Sequence, residues 1–454
     1  MRASGSIDLP DFTDNGTDKP PSGSLEVELE PTPTRPGSVS GSESSITRNV
    51  IVQSEDNELI QHYLNVMSNY TRIRRSRDEN LYGLIFSNMA LFYAPLYNAI
   101  MAWTGLHLSQ SRPGWAREAE TRHDYAVSLL YADGHISQHF ELSIVTIWFL
   151  LQFELLAAKG VGAFCQHLDY AADLVEAHRR YRRGEGRAPS LGPVGARVLV
   201  WLGSYDARAA YAGSAGRLLQ NLEMFCMHYD FIESAFSDTA TENGAADLKP
   251  CLRFVLELDT VESRISQLHR KGGAVPVAIW SSIQNDLVEL RERLECDPAT
   301  APAVHAVSDP TRSLGGILST KRFNWLLLLA SLYSVIISYH RMIPPEVACI
   351  VPKNFISEGD SAARIIRMAL WVHQSRRPSP QNVWSRILFL AGIATSDLVY
   401  QDWVVKTLAE AETWGMNFHK TRLLLQHVIE TQNREGIRAD FLDIMRQTTG
   451  LFII

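Results

Sequence analysis

Cysteine is scarce, and each one stands alone. The 454 residues hold five, Cys165, Cys226, Cys251, Cys296 and Cys349. No two have C-x2-C spacing, which excludes a zinc ribbon or finger. An odd, widely spaced set in a long chain is not a disulfide framework and points to a reducing compartment. Positive charge is short as well. Lys and Arg number 43 against 50 Asp and Glu, a net charge of −7. The whole imbalance sits in residues 1–60, which carry four basic and eleven acidic residues. Neither that leader nor the neutral remainder has the cationic surplus that contact with a phosphate backbone requires. The opening MRASGSIDLPDF has no apolar stretch of signal-peptide length. The longest apolar run, Trp325 to Ile337, falls short of the roughly 20 residues of a membrane span and reads as a buried helix.

Chemical motifs are missing too. There is no G-x-S-x-G, no Walker A and no G-x-G-x-x-G. The glycines at 184, 186, 192 and 195 lack the strand-to-helix setting of a phosphate cradle. His135 and His139 share a helix face, but Ile136 occupies the position where a zincin has its glutamate. Cys165 and His167 point to different faces, and Cys226, between Met224 and His228, reads as core. No catalytic residue, cofactor site or metal site is expected, and the chain reads as a non-enzyme.

What is present is helix after helix. Residues 1–54 form a Ser/Pro-rich acidic tail with six of the twenty prolines in the first fifty positions, expected to be disordered. Inside it, Leu25-Glu26-Val27-Glu28-Leu29-Glu30 alternates acidic and apolar residues, a pattern found in activation segments. Residues 55–454 read as an all-α domain. Its first helix carries Leu59, His62, Tyr63 and Val66 at helical spacing. Further helices are expected near 80–111, 114–132, 137–158 and from Gly162 to about Arg183, with a loop at 184–195. A polar break is expected at 238–250 and a loop at 296–316. Between them, Leu258, Val261, Ile265 and Leu268 face Trp280, Ile283, Leu287, Leu290 and Leu294 across a Lys271-Gly272-Gly273 turn, a hairpin expected to pack on the body. Beyond Ser319 the helices resume, broken near Pro344-Pro345 and at 376–380.

Two basic clusters are candidate nuclear-import or phosphate contacts. One is Arg72, Arg74, Arg75 and Arg77; the other is Arg179, Arg180, Arg182 and Arg183, with Arg187 close behind. A solvated helix end, where cations complement the C-terminal dipole, is the preferred reading of each cluster, and the natural one for the second, which ends a helix. Glu154 and His167 lie six before Gly160 and five after Gly162. In an antiparallel hairpin those offsets put them at one level, within hydrogen-bond or one-water distance, and a carboxylate there is expected to raise the imidazole pKa.

The order of segments resembles the fungal-specific transcription factor domain. The resemblance runs through HYLNVMSNY from His62, PLYNAIMAWTGLHL from Pro95, YAVSLL from Tyr125, ELLAAKGVGAFCQHL from Glu154 and WLGSYDARAAYAG from Trp201. It ends on WSRILFLAGIATSDLVYQDW from Trp384, and so spans about residues 58–434. It marks Glu154, His167, Trp201, Asp206, Arg208 and Trp403 as motif residues, with Gln401 where the family often has arginine. It implies a nuclear regulator of a metabolic or secondary-metabolite pathway, with partners in the transcription machinery and dimers as an option. Members carry a six-cysteine zinc-cluster reader, yet no cysteine precedes Cys165. DNA contact is therefore expected through a partner or an upstream module. An interaction scaffold and a small-molecule-binding helical protein are the alternatives.

Overall fold

Proline and short polar side chains punctuate the chain into helices. The computed structural model describes residues 50–70, 80–133, 139–184, 191–236, 245–271, 275–297, 300–308, 318–349, 351–376 and 379–454. Among these every regular element is a helix, so the chain is all-α. Residues 1–49 of the tail, the Arg72–Arg77 cluster and His135 lie outside the described residues; at the tail's described end, Val50 N donates to the Leu91 carbonyl at 2.9 Å and Ser54 opens a 3-10 turn.

The first part comprises α1 (Asn57–Asn65), α2 (Leu81–Asn88), α3 (Ala94–Ser109), α4 (Trp115–Asp133), α5 (Phe140–Ala157) and α6 (Gly162–Gly184). The segment 80–111, expected as one helix, is two. Pro95 has no N–H to donate and its ring would clash with the carbonyl one turn back. The chain therefore leaves α2 at Met89, makes a single 3-10 turn, and restarts after an extended Tyr93 with Pro95 in the first turn of α3. α3 packs on α1, α4 and α5. α5 is apolar almost all round, the mark of a helix that meets neighbours on every side.

Next come α7 (Pro193–Ala209), α8 (Arg217–His228), α9 (Phe231–Ala235), α10 (Ala245–Lys271), α11 (Val277–Cys296) and α12 (Ala301–Ser308). Two expected breaks are helical in part. α10 begins at Ala245, inside the polar stretch 238–250, and runs on through Pro250, which lies inside the helix and has no N–H to donate to the carbonyl one turn back. α12 lies inside the expected 296–316 loop; it follows Thr300 and buries Val304 and Val307. The α10–α11 hairpin does pack on the body. Leu258, Val261, Ile265 and all five apolar positions of α11 are buried, and α10 lies against α7 and α13.

The last part holds α13 (Thr320–Met342), α14 (Pro345–Ala348), α15 (Glu358–Ser375), α16 (Ser385–Ala394), α17 (Leu398–Glu410), α18 (Met416–Glu435) and α19 (Phe441–Gln447). Ser319, Ser357, Asp397 and Asp440 each accept a hydrogen bond from a first-turn N–H and so start their helices. Gly436 (φ 68°) ends α18 in a left-handed cap, a conformation glycine adopts without strain. α13 contains the long apolar run, and 89 % of its most apolar window is buried in the fold. It packs on α10, α15 and α16, while α18 reaches back to α5, so the two halves of the chain share one core within Ser45–Ile454.

Candidate functional site

Four helices leave a cavity of about 130 Å³ between them. α5 gives Trp148, Gln152 and Leu156; α7 gives Trp201, Ser204, Tyr205 and Arg208; α10 gives Leu258 and Asp259; α13 gives Leu327, Leu328 and Ser331. The three- and four-residue spacings place each set on one stripe of its helix. Tyr70, Trp414 and Phe418 close the remaining side, and the Tyr70 hydroxyl donates to the Trp414 carbonyl.

The walls are apolar and one end is polar. Trp148 and Trp201 pack with ring centroids 5.0 Å apart. Gln152 Nε2 donates to the Tyr205 hydroxyl. Ser204 Oγ donates to the buried Asp259 carboxylate, and the Arg208 guanidinium lies 5.7 Å from the centre of the Tyr205 ring. Burial pushes the Asp259 carboxyl up to about 6, against the opposing pull of the Ser204 hydrogen bond and the charges of Arg208 and Arg386. Beyond it, Arg386 pairs with the buried Glu262. A largely apolar cleft with few convergent polar groups has the make-up of a small-molecule site. A cavity of this size holds about one benzene-sized ring.

A second cluster lies where α4, α5 and α6 meet. His123, Glu154 and His167 are all buried, and one ligating atom from each lies within 4.8 Å of the other two. Glu154 and His167 approach each other to within 4.8 Å, as expected for one level of the hairpin, and Glu154 Oε1 also stands 3.3 Å from His123 Nε2. His167 places Nδ1 3.1 Å from the Tyr131 hydroxyl. The expected upward pKa shift of His167 is reversed. Burial and the neighbouring His123 push it down to about 4, and the Glu154 charge only partly offsets them. The linkage changes sign with it: the stability His167 contributes is full above an unfolded value near 6.5 and is lost as pH falls toward about 4.

The family model described as the fungal specific transcription factor domain matches residues 58–243. Over that stretch the chain is similar to this family, and the likeness supports a fungal transcriptional regulator in the general sense. No curated protein matches the chain, and no solved structure does. The match holds both sites' α4–α7 residues; α10, α13 and α18 lie beyond it, as does the segment from Trp384.

Within the matched stretch the motif residues separate by task. Trp201 and Arg208 line the cavity, and Glu154 and His167 join the buried cluster. Asp206 is buried and accepts hydrogen bonds from Leu219 N and Ser214 Oγ, so it caps α8 in place of the residue before it, Gly216. Outside the domain, Trp403 meets the His373 ring edge-on at 5.6 Å. Gln401 is buried and donates to the Thr395 carbonyl, 2.8 Å, an uncharged bond where the family often has arginine. In the second basic cluster Arg180 pairs with Glu176, four residues earlier on α6; of Arg182 and Arg183 only the helical backbone is described. The Cys226 thiol is pushed up to about 12 by burial, which suits an inert position.

Sequence reasoning missed His123, Asp259, Gln152 and Trp414. His123 stands two residues before the Tyr125 motif, but only the packing of α4 on α5 brings it to Glu154. Asp259 was hidden inside an apolar stripe, where a lone carboxylate beside Leu258 was the available signal.

Proposed function

We propose that this chain is the regulatory body of a pathway-specific nuclear regulator, working by recruitment and release of partners rather than by catalysis. The observation that carries the reading is the family match over residues 58–243. Its acidic leader, with the Leu25–Glu30 alternation, supplies an activation segment, and the Arg179–Arg183 run an import signal. DNA contact goes through a partner or a zinc-cluster module outside this sequence. The α5–α7–α10–α13 cavity favours an effector of ring size with a polar or basic substituent facing Asp259 and Tyr205. Occupancy would tie the matched domain to the helices beyond it.

The test is a tethered reporter. The full chain is fused to a heterologous DNA reader and transcription is measured, with Ser204→Trp as the cavity-filling variant. A several-fold change in reporter output, altered by the variant, supports the reading. Output equal to that of the reader alone, in both directions of regulation, defeats it. On its own the purified chain should bind duplex DNA weakly and without sequence preference; nanomolar specific binding at physiological salt would show an unrecognised reader.

A further inference from the structure

We propose that His123, Glu154 and His167 form a binding site for a single zinc ion that staples α4, α5 and α6 together. Each of the three consecutive helices contributes one ligand. The donor set, two imidazoles and one carboxylate, is one that zinc takes when a fourth position is left to water.

Several independent features point to a ligand rather than to a simple ion pair. Zinc bonds of about 2.0–2.1 Å in a tetrahedron place neighbouring donors about 3.3 Å apart. His123 Nε2 and Glu154 Oε1 stand at 3.3 Å. Yet among the described residues His123 Nε2 has no hydrogen-bond partner, so its N–H direction does not run to that oxygen. His167 Nε2 has no partner either. Two buried imidazole nitrogens without partners in one cluster are costly unless something fills the gap. The opposite nitrogens are engaged. His123 Nδ1 lies 3.3 Å from Asp124 Oδ1, and His167 Nδ1 lies 3.1 Å from the Tyr131 hydroxyl. A proton held on Nδ1 by an oxygen leaves the lone pair on Nε2, which is the outer support that metal-bound histidines have. The Phe153 ring stacks on His123, centroids 4.3 Å apart, and limits its rotation.

The structural consequence follows from where the ligands sit. Glu154 and His167 flank the Val161 turn between α5 and α6, and His123 joins them from α4. An ion there closes the α5–α6 hairpin onto α4 inside the matched family domain. The proposal stands on this geometry and not on the regulatory reading.

The experiment uses the full chain, stripped with a chelator and dialysed. Zinc is titrated by calorimetry, and thermal midpoints are read with and without it. One ion per chain is expected, with a midpoint that rises with zinc concentration; Mg²⁺ and Ca²⁺ should give neither. Cobalt(II) added to the unmutated chain should give the intense visible bands of a four-coordinate ion. His123→Gln and His167→Gln should each weaken zinc binding more than tenfold, while His305→Gln, at an exposed histidine on α12, should not. Zinc bound equally well by all three variants would place it elsewhere and overturn the proposal. So would the absence of both a zinc-dependent midpoint and a four-coordinate cobalt spectrum. The cobalt result on the unmutated chain decides the matter if either ligand variant fails to fold.

Discussion

Arg341 offers the sharpest test of how the C-terminal helices are held. It sits near the end of α13, with its side chain 6 % exposed. Its Nε donates to Glu358 Oε1 on α15 at 2.6 Å, and one terminal nitrogen donates to the Ile393 carbonyl at the end of α16, also at 2.6 Å. Gln432 on α18 accepts from the same guanidinium. Substituting Arg341→Met keeps the volume and removes the charge. Glu358 is then buried without its main partner; Arg438 remains at 2.7 Å, but that arginine is 62 % exposed and its pull is screened by water. Ile393 keeps a bond from Gln432 Nε2, so no carbonyl is orphaned. Removing one partner of a buried pair costs about 3–5 kcal/mol, and the surviving Arg438 contact favours the lower end, about 3. Unfolding entropy of about 2.1 cal/mol/K per residue over the 410 residues from Ser45 to Ile454 gives about 0.9 kcal/mol per degree. The expected fall in Tm is therefore about 3–4 °C by calorimetry. The double variant Arg341→Met with Glu358→Gln should regain at least about 1 kcal/mol relative to additivity, because the stranded charge is gone. A single variant within about 1 °C of the parent, or strict additivity in the cycle, would refute this account.

Three further outcomes follow from particular contacts. Burial and the adjacent His62 push His107 down to about 4, so its stabilising contribution is full above an unfolded value near 6.5 and is lost as pH falls toward 4; His107→Gln should flatten the dependence of the urea midpoint on pH in that window. Glu141 on α5 accepts from Gly195 N at 2.8 Å and Gly192 N at 3.2 Å, capping α7 from outside; Glu141→Ala should cost about 1–2 kcal/mol and weaken amide-exchange protection at the start of α7. Asp206→Ala should cost about 1–3 kcal/mol by leaving Leu219 N unpaired, with Asp206→Asn milder in the same denaturant titration.

Helix type and much of the helix order were readable from spacing alone. Apolar residues at intervals of three and four can satisfy a buried stripe in only one regular conformation, and serine, aspartate and proline mark helix starts through bonds that are local. The α10–α11 hairpin shows this well: Leu258, Val261 and Ile265 on one arm and Trp280, Ile283, Leu287, Leu290 and Leu294 on the other are all buried. The same reasoning failed where a local cue conflicted with a neighbour. Pro95 split a segment that apolar content made continuous, and Ala301–Ser308 became a helix inside a Pro/Ala/Ser-rich stretch because Val304 and Val307 had a core to enter.

The sites divide in the same way. The level of Glu154 and His167 about their turn came from counting residues, since an antiparallel hairpin fixes the register of its own arms. His123 came only from the tertiary structure, because nothing in α4 sets its distance from α5 until the two helices pack. The pKa of His167 followed that packing as well. A carboxylate neighbour alone argued for a raised value, but the depth of burial and a second imidazole decided the opposite sign. The cavity was wholly a tertiary product. Trp148, Trp201, Asp259 and Leu327 are each ordinary members of a helix stripe, and a void exists only because four such stripes, widely separated along the chain, do not quite fill the space where they converge.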